Sequence, residues 1–366
     1  MPNSKKITLL ISSLTGGGAE GVCVNIANGL ADIGWQVDLV ILHTNNAEYL
    51  SRVSGKVKLV VLGVHHARLA PLPLLRYIRV NKPSKILVFD YELAVIAVIL
   101  RLLFHFTCKI VARNINTFSK RTGQLQGFWR RYIVRTLIRY FYGKCDHIIN
   151  QCQAMRDDLV GVFPYLMSKT SVIYNPVAQC VENYANLHDL STIEKQNYLL
   201  CVGRLERQKA FHYAIEAFAG IAQTREELRL KIVGKGSLEA PLRQLASDLN
   251  VADRVDFEGF QSDIVPYYLH AHATLLTSLY EGFPNALIES ITLGTPVIAF
   301  DSPGGVCEIV KHAENGYLVK DFNLDDLKES IVDVLDGNIR FTNVCASSRN
   351  FMRTEIIKKY ASVFLE

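Results

Sequence analysis

Apolar runs of strand length alternate with longer stretches of helical period twice along this chain, on either side of a polar break at residues 177–196. First come "KITLLIS", "AEGVCVNIANGLADIG" and "QVDLVILH", then "KILVF", "KIVAR" and "HIINQ", with amphipathic stretches between them. This is the signature of βαβ units, a parallel sheet with helices on both faces. The series ends at "SVIYNPV", where Pro176 biases Asn175 away from helix. It restarts with "NYLLCVGRL" as a strand, "FHYAIEAFAGIAQ" as a helix, "LRLKIVGKG" as a strand and "SLEAPLRQLASDLN" as a helix, and continues through the strands "RVDFEGF", "ATLLTS" and "TPVIAF". With 366 residues, 49% of them hydrophobic, the chain can bury a core in each half. The expected architecture is α/β, with two tandem Rossmann-like domains at residues 1–176 and 197–350, a linker at 177–196, and a cleft between the carboxyl ends of the two sheets. "NFMRTEIIKKYASVFL" has helical period, and a C-terminal helix over 351–366 is expected to pack back on the N-terminal domain.

The net charge of +5 hides an asymmetry. Residues 1–180 carry 22 Lys and Arg against 9 Asp and Glu, and the remainder carries 18 against 26. A basic half points to an anionic partner or surface for the first domain. The eight cysteines are scattered without a C-x-x-C, which indicates neither a zinc site nor a disulfide framework and fits a reducing cytosol. "LAVIAVILRLLFHF" is interrupted by Arg101 and falls short of the ~20 apolar residues that a membrane span needs. The apolar run in "MPNSKKITLLISS" is too short for a signal peptide and reads better as the first strand, so a cytoplasmic location is expected.

Gly16, Gly18 and Gly21 in "SSLTGGGAEG" satisfy G-x-G-x-x-G, the dinucleotide fingerprint, after an apolar strand. A dehydrogenase also needs an acidic residue at the end of the second strand to bind the ribose. After "QVDLVIL" stand His43, Thr44, Asn45 and Asn46, and Asp38 sits at that strand's beginning. The glycines therefore need another explanation.

Three features of the second half supply one. In "VGRLERQKAF", Arg204 and Lys209 follow a predicted strand, where paired cations suit a diphosphate; each alone is an ordinary surface charge. In "YEGFPNALIES", Pro284 suits a helix's first turn, which leaves the amides of Asn285, Ala286 and Leu287 as donors to phosphate or sugar oxygens. Glu281 lies before that helix and Glu289 one to two turns inside it, and carboxylates hold sugar and ribose hydroxyls. The alternative for this pair is a helix-stabilising Glu and a surface Glu. "VGKGSLEAPL" is a glycine-marked turn into a helix.

Taken in order, "GGAEG", "VIYNPV", "VGRLERQK", "VGKG", "FEGF", "EGFPNALIE", "GTPVIAFDSPGGVCEIV" and "NGYLV" resemble the retaining glycosyltransferases of family 4, which have the GT-B fold. The resemblance implies that Gly17 and Gly18 let the first loop approach the donor's diphosphate, with Arg204 and Lys209 neutralising the leaving group. It implies that Glu281 holds the transferred sugar, with Gly282 and Phe283 beside it, and Glu289 the ribose. Backbone near Phe260 and Gln261 would meet the base. Such enzymes need no metal or cofactor, and the chain contains no D-x-D. Many members place a His after a mid-sheet strand of the N-terminal domain, whereas this chain has "IVARNINTFSK". There Asn114 is either a substitute contact to the sugar or a plain turn residue. The implied activity is transfer of a hexose or N-acetylhexosamine, most simply from a UDP-sugar, to a lipid-linked or lipopolysaccharide-type acceptor. A nucleotide-sugar epimerase and a non-catalytic nucleotide-sugar binding protein are the rivals.

Residues 125–144, "LQGFWRRYIVRTLIRYFYGK", contain Trp129, Arg130, Arg131, Arg135 and Arg139 and no acid. A basic, aromatic helix of this kind either lies on anionic lipid at the cytoplasmic face of a membrane or presents a basic face to solvent. No nucleic-acid-binding motif accompanies it.

Overall fold

The computed structural model describes residues 5–115, 135–320 and 322–365. Its chain forms two compact units, Met1–Pro176 with Arg353–Glu366, and Val177–Met352. In chain order the first unit contains β1 (Lys6–Ile11), α1 (Gly18–Asp32), β2 (Gln36–Ile41), β3 (Val57–Val61), α2 (Pro71–Asn81), β4 (Lys85–Val88), α3 (Tyr91–Phe104), β5 (Lys109–Arg113), α4 (Arg135–Phe141), β6 (His147–Asn150), α5 (Gln153–Val162) and β7 (Thr170–Val172). The second contains α6 (Gln179–Leu187), β8 (Tyr198–Val202), α7 (Phe211–Ala222), β9 (Arg229–Val233), α8 (Glu239–Asp248), β10 (Val255–Gly259), α9 (Val265–His270), β11 (Ala273–Leu276), α10 (Asn285–Thr292), β12 (Val297–Phe300), α11 (Val306–Ile309), β13 (Gly316–Val319) and α12 (Leu324–Leu335). Helix α13 (Arg353–Leu365) belongs again to the first unit.

Among the described residues each unit is built on one parallel sheet, of seven strands in the order β3-β2-β1-β4-β5-β6-β7 and of six in the order β10-β9-β8-β11-β12-β13. Strands β1, β8, β11 and β12 are apolar at nearly every position because helices cover both faces of the sheet, so side chains of either parity are buried. In the first sheet, Leu9 sits opposite Leu39 on one side and Leu87 on the other. One face of that sheet packs on α1 and α13, with Trp35, Tyr360 and Phe364 in the core, and the other on α2, α3 and α4. The strand order reverses direction between β1 and β4 in one unit and between β8 and β11 in the other. Ligands of doubly wound sheets bind at such switch points, beyond the carboxyl ends of the strands.

One expectation is corrected. Residues 177–196 are not plain linker, since they form α6, whose nine residues bury only Val181 and Glu182, too few for a legible period. The edge strand β3, VKLVV, is not among the strands singled out from the sequence although four of its five residues are apolar; only Val57 of them is buried. Asp38 lies within β2, buried, and accepts a hydrogen bond from the Tyr77 hydroxyl at 2.7 Å, so its role is structural.

Before β8, Lys195 donates to the Leu269 carbonyl at 2.8 Å and to Thr295 Oγ1 at 2.7 Å. Burial pushes its ammonium down to about 8. Between that value and the ordinary lysine value near 10.4, the unfolded chain holds a proton that the native chain has released, so stability rises with pH across this window. Compared with a Lys195→Met variant, the wild type is expected to gain stability in denaturant titrations as pH rises from about 8 to 10, by about 2 kcal/mol. Parallel curves for the two proteins would contradict this.

Candidate active site

The loops at the switch point of the second sheet are fastened to one another. Lys209 ends the loop after β8. Its carbonyl accepts from Thr277 Oγ1 at 3.1 Å, the Gln208 carbonyl accepts from Leu279 N at 2.9 Å, and Gln208 Nε2 donates to the Tyr280 carbonyl at 2.9 Å. These bonds hold Ala210 in a left-handed conformation (φ 46°) that an L-residue adopts only at a cost of about 1–2 kcal/mol. The result aims Lys209 across the loop, where its Nζ donates to Glu281 Oε1 at 2.6 Å. Glu281 is 5% exposed. Arg204, at the head of the same loop, is exposed.

Close backbone approach explains two glycines here. A Cβ on Gly234, after β9, would stand 1.9 Å from the Gly203 carbonyl, so the "VGKG" turn lies directly on the "VGRL" turn. A Cβ on Gly304 would stand 2.0 Å from the Glu281 carbonyl, which locks the loop after β12 onto the loop that carries Glu281. Gly305 N donates to the Gly282 carbonyl at 2.9 Å and Glu281 N to Pro303 O at 2.9 Å across the same seam.

Helix α10 corrects part of the sequence expectation. Pro284 is its N-cap, with an extended ψ of 106°, and not a residue of its first turn. The Leu287 amide donates to the Pro284 carbonyl at 3.2 Å, so it is already engaged and does not point outward as a ligand donor. Asn285 and Ala286 are half-buried at the helix start, and Gly282 and Phe283 are buried before it. Glu289 lies on α10, where Oε2 accepts from the hydroxyl of the fully buried Tyr268 at 3.1 Å. Phe260 and Gln261 follow β10 and are half-buried, and Gln261 Nε2 donates to the Glu258 carbonyl at 2.7 Å. Gly234 N donates to the Gly259 carbonyl at 2.7 Å, which ties this segment to the "VGKG" turn.

Sequence reasoning missed Tyr268, and it also missed Ser278 and Ser302. The buried hydroxyls of both serines, after β11 and β12, have no hydrogen-bond partner among the described residues. Nearly all buried polar atoms in native folds are satisfied, so unpaired hydroxyls at a carboxyl edge mark a place where a polar ligand can complete the set.

In the first unit, Gly17 is the N-cap of α1 and Gly18 its first residue. A Cβ on Gly17 would fall 2.4 Å from Glu20 Oε2, and one on Gly16 would fall 2.2 Å from Glu48 Oε2. Two carboxylates that the sequence reading did not single out therefore cover the glycine loop. At the end of β5, Asn114 is buried, its Nδ2 donates to Asn150 Oδ1 at 3.2 Å, and its carbonyl accepts from Gln151 Nε2 at 3.0 Å. Neighbouring Arg113 is 1% exposed. Its Nε donates to the Tyr360 hydroxyl at 2.8 Å, its Nη2 to Asn175 Oδ1, and its Nη1 has no partner among the described residues. Burial pushes the Tyr360 hydroxyl up, with the Arg113 charge opposing it. Trp129, Arg130 and Arg131 lie outside the described residues, and Arg135 and Arg139 lie on α4.

Residues 16–178 match the model of Glycosyltransferase Family 4, and residues 185–351 match that of Glycosyl transferases group 1. The chain is a family 4-like glycosyltransferase. An uncharacterised glycosyltransferase of Haemophilus influenzae is 28% identical over 346 residues, which are 91% of each chain. The N-acetylgalactosamine-N,N'-diacetylbacillosaminyl-diphospho-undecaprenol 4-alpha-N-acetylgalactosaminyltransferase of Campylobacter jejuni is 29% identical over 204 residues, 55% of this chain and 54% of its own. Among solved structures, Anabaena HepE in complex with UDP and glucose has a TM-score of 0.77 at 20% identity, covering 98% of both chains. That likeness is one of fold, and with the two parallel sheets it makes this glycosyltransferase a GT-B protein of two Rossmann-like units. Among the described residues no helix is long and apolar enough to cross a membrane.

Proposed function

We propose that this glycosyltransferase moves a hexose or N-acetylhexosamine from a UDP-sugar to a lipid-linked or lipopolysaccharide-type saccharide, with retention at the anomeric carbon. The observation that carries the donor half is the Lys209–Glu281 pair at the switch point of the second sheet, with Arg204 on the same loop and Glu289 on α10. In this reading the C-terminal unit takes the nucleotide and the N-terminal unit the acceptor. Arg204 and Lys209 stabilise charge that develops on the departing diphosphate, Glu281 orients the sugar hydroxyls, and Glu289 the ribose. No protein carboxylate is assigned as nucleophile. The acceptor oxygen attacks from the face that the diphosphate leaves, its proton passes to a donor phosphate oxygen, and the reacting sugar has oxocarbenium character. Glu20 over Gly17 restricts the first loop, since an anion approaching Gly17 must displace that carboxylate. The acceptor class is supported by the lipid-diphosphate saccharide in the Campylobacter relative's name, and a peripheral position on anionic membrane through residues 125–144 is part of the same proposal.

Transfer is expected to persist in EDTA, because in this reading Arg204 and Lys209 supply the neutralisation of the diphosphate that a metal ion would otherwise supply. The assay incubates UDP-, GDP- and ADP-sugars with a lipid-linked saccharide and chelator, and reads the anomeric configuration of the product. Activity that disappears with chelator and returns with magnesium or manganese would refute metal independence, and a new sugar isomer formed without acceptor would favour an epimerase.

A further inference from the structure

The helix layer α2–α3–α4 covers one face of the first sheet, with α3 packed against both α2 and α4. Its inner side is made of Leu74, Leu75, Ile78, Leu93, Val98 and Ile138. The outer side is not the mixed-charge surface usual on a solvated helix. Along α2, Leu72, Arg76 and Val80 follow one another at four-residue spacing and so share a stripe. Leu72 is 71% exposed and Val80 75%. At the end of α3, Leu103 is 66% exposed, and the guanidinium of Arg79 stacks over the Phe104 ring at 4.9 Å, which brings the two helix ends together. From Leu62 to Phe89 the chain has Arg68, Arg76, Arg79, Lys82 and Lys85 and no acid. Between Glu48 and Asp146 its only acids are Asp90 and Glu92.

Large apolar side chains scattered singly on a surface need no explanation. Here they alternate with cations that carry long alkyl stems; α2 itself carries no acid, and Asp146, beside the end of α3, is paired with Arg101, so the surface has the chemistry of a helix lying in the headgroup layer of an anionic bilayer. We propose, as a refinement of the membrane docking proposed above and resting on it, that the outer face of α2 with the end of α3 is a membrane-docking surface for anionic phospholipid. Leu72, Val80 and Leu103 enter the acyl boundary, and Arg76, Arg79 and Lys82 meet the phosphates. Because α2 follows the carboxyl end of β3, its Leu72 end lies toward the sheet edge that carries Asn114. A saccharide anchored in that bilayer is then presented to the edge at which doubly wound sheets bind ligands.

The test is co-sedimentation of the full chain with phosphatidylcholine vesicles, with and without phosphatidylglycerol, at low and high salt. The proteins compared are the wild type, a Leu72→Gln/Val80→Gln/Leu103→Gln variant, an Arg76→Gln/Arg79→Gln/Lys82→Gln variant, and a variant with Arg130, Arg131, Arg135 and Arg139 changed to Gln. Wild type is expected to prefer anionic vesicles, and the apolar variant to lose about tenfold or more of its partitioning at either salt concentration. The cationic variant should lose mainly the preference for anionic lipid and the salt sensitivity. An unchanged melting temperature establishes that each variant is folded. If both α2 variants bind like wild type while the four-arginine variant does not, docking stands and this surface is refuted. Wild type that ignores anionic vesicles overturns both. Wild type that stays off vesicles but self-associates, with the apolar variant monomeric, makes the face a contact between copies and overturns the lipid assignment.

Discussion

Alanine in place of Lys209 or Arg204 is expected to lower turnover at saturating donor by about 10²–10³, the range for removing one preorganised charge donor from a transition state. The diphosphate carries more negative charge as the glycosidic bond breaks, so a cation fixed beside it acts on the barrier more than on ground-state binding. Fixation is what the structure supplies for Lys209. Its backbone is bonded to Thr277, its side chain lies across Gly203, and Glu281 holds the ammonium at 2.6 Å. Arg204 lacks such a clamp and is exposed, so its substitution should raise the Michaelis constant for donor as well as lower turnover. Steady-state kinetics at a temperature well below the unfolding range of each variant decide the matter, and near-normal turnover in both removes the two cations from the mechanism.

The second large effect is on stability. The Lys209 and Glu281 side chains are 16% and 7% exposed, so the pair is desolvated and each member depends on the other. Removing one charge strands the other, which costs about 3–5 kcal/mol, whereas replacing both leaves no uncompensated charge. Lys209→Met should therefore lower the melting temperature by roughly 10 °C. A Lys209→Met/Glu281→Gln double variant should recover at least half of that loss while staying inactive. Calorimetry on the single and double variants gives the coupling, and additive losses would mean that the pair is not energetically linked.

The parallel sheets were legible because strands covered on both faces must be apolar throughout, as "ITLLI", "YLLCV" and "VIAF" are. Edge strand β3 carries the apolar run "LVV" after Lys58, but only Val57 of its five residues is buried, so its pattern does not match that of the covered strands. The switch-point residues were legible in part, because Arg204, Lys209, Glu281 and Glu289 stand just beyond strands or on the helix that follows one. What the sequence could not convey was which groups meet. Lys209 and Glu281 are 72 positions apart, and the Tyr268 bond to Glu289 depends on how α9 packs against α10. Arg113 ends the strand run "KIVAR" with no sign of its partner, and it is buried against Tyr360, 247 positions away, because α13 returns to the first unit. Glu20 and Glu48 show the same limit, since nothing in "GGAEG" indicates that carboxylates fold over its own glycines.

The central claim is that the loops beyond β8 and β11 recognise a nucleotide diphosphate, and the most direct measurement is thermal unfolding with uridine, UMP, UDP, GDP and ADP at equal concentration. A ligand present at 100 times its dissociation constant stabilises the native state by about 2.7 kcal/mol, enough to raise the midpoint by several degrees. UDP should raise the midpoint well above the values with UMP and uridine, and Arg204→Ala should remove most of the difference between UDP and UMP. Equal shifts from UDP, UMP and uridine, or no shift from any diphosphate, would contradict the assignment of these loops to the donor.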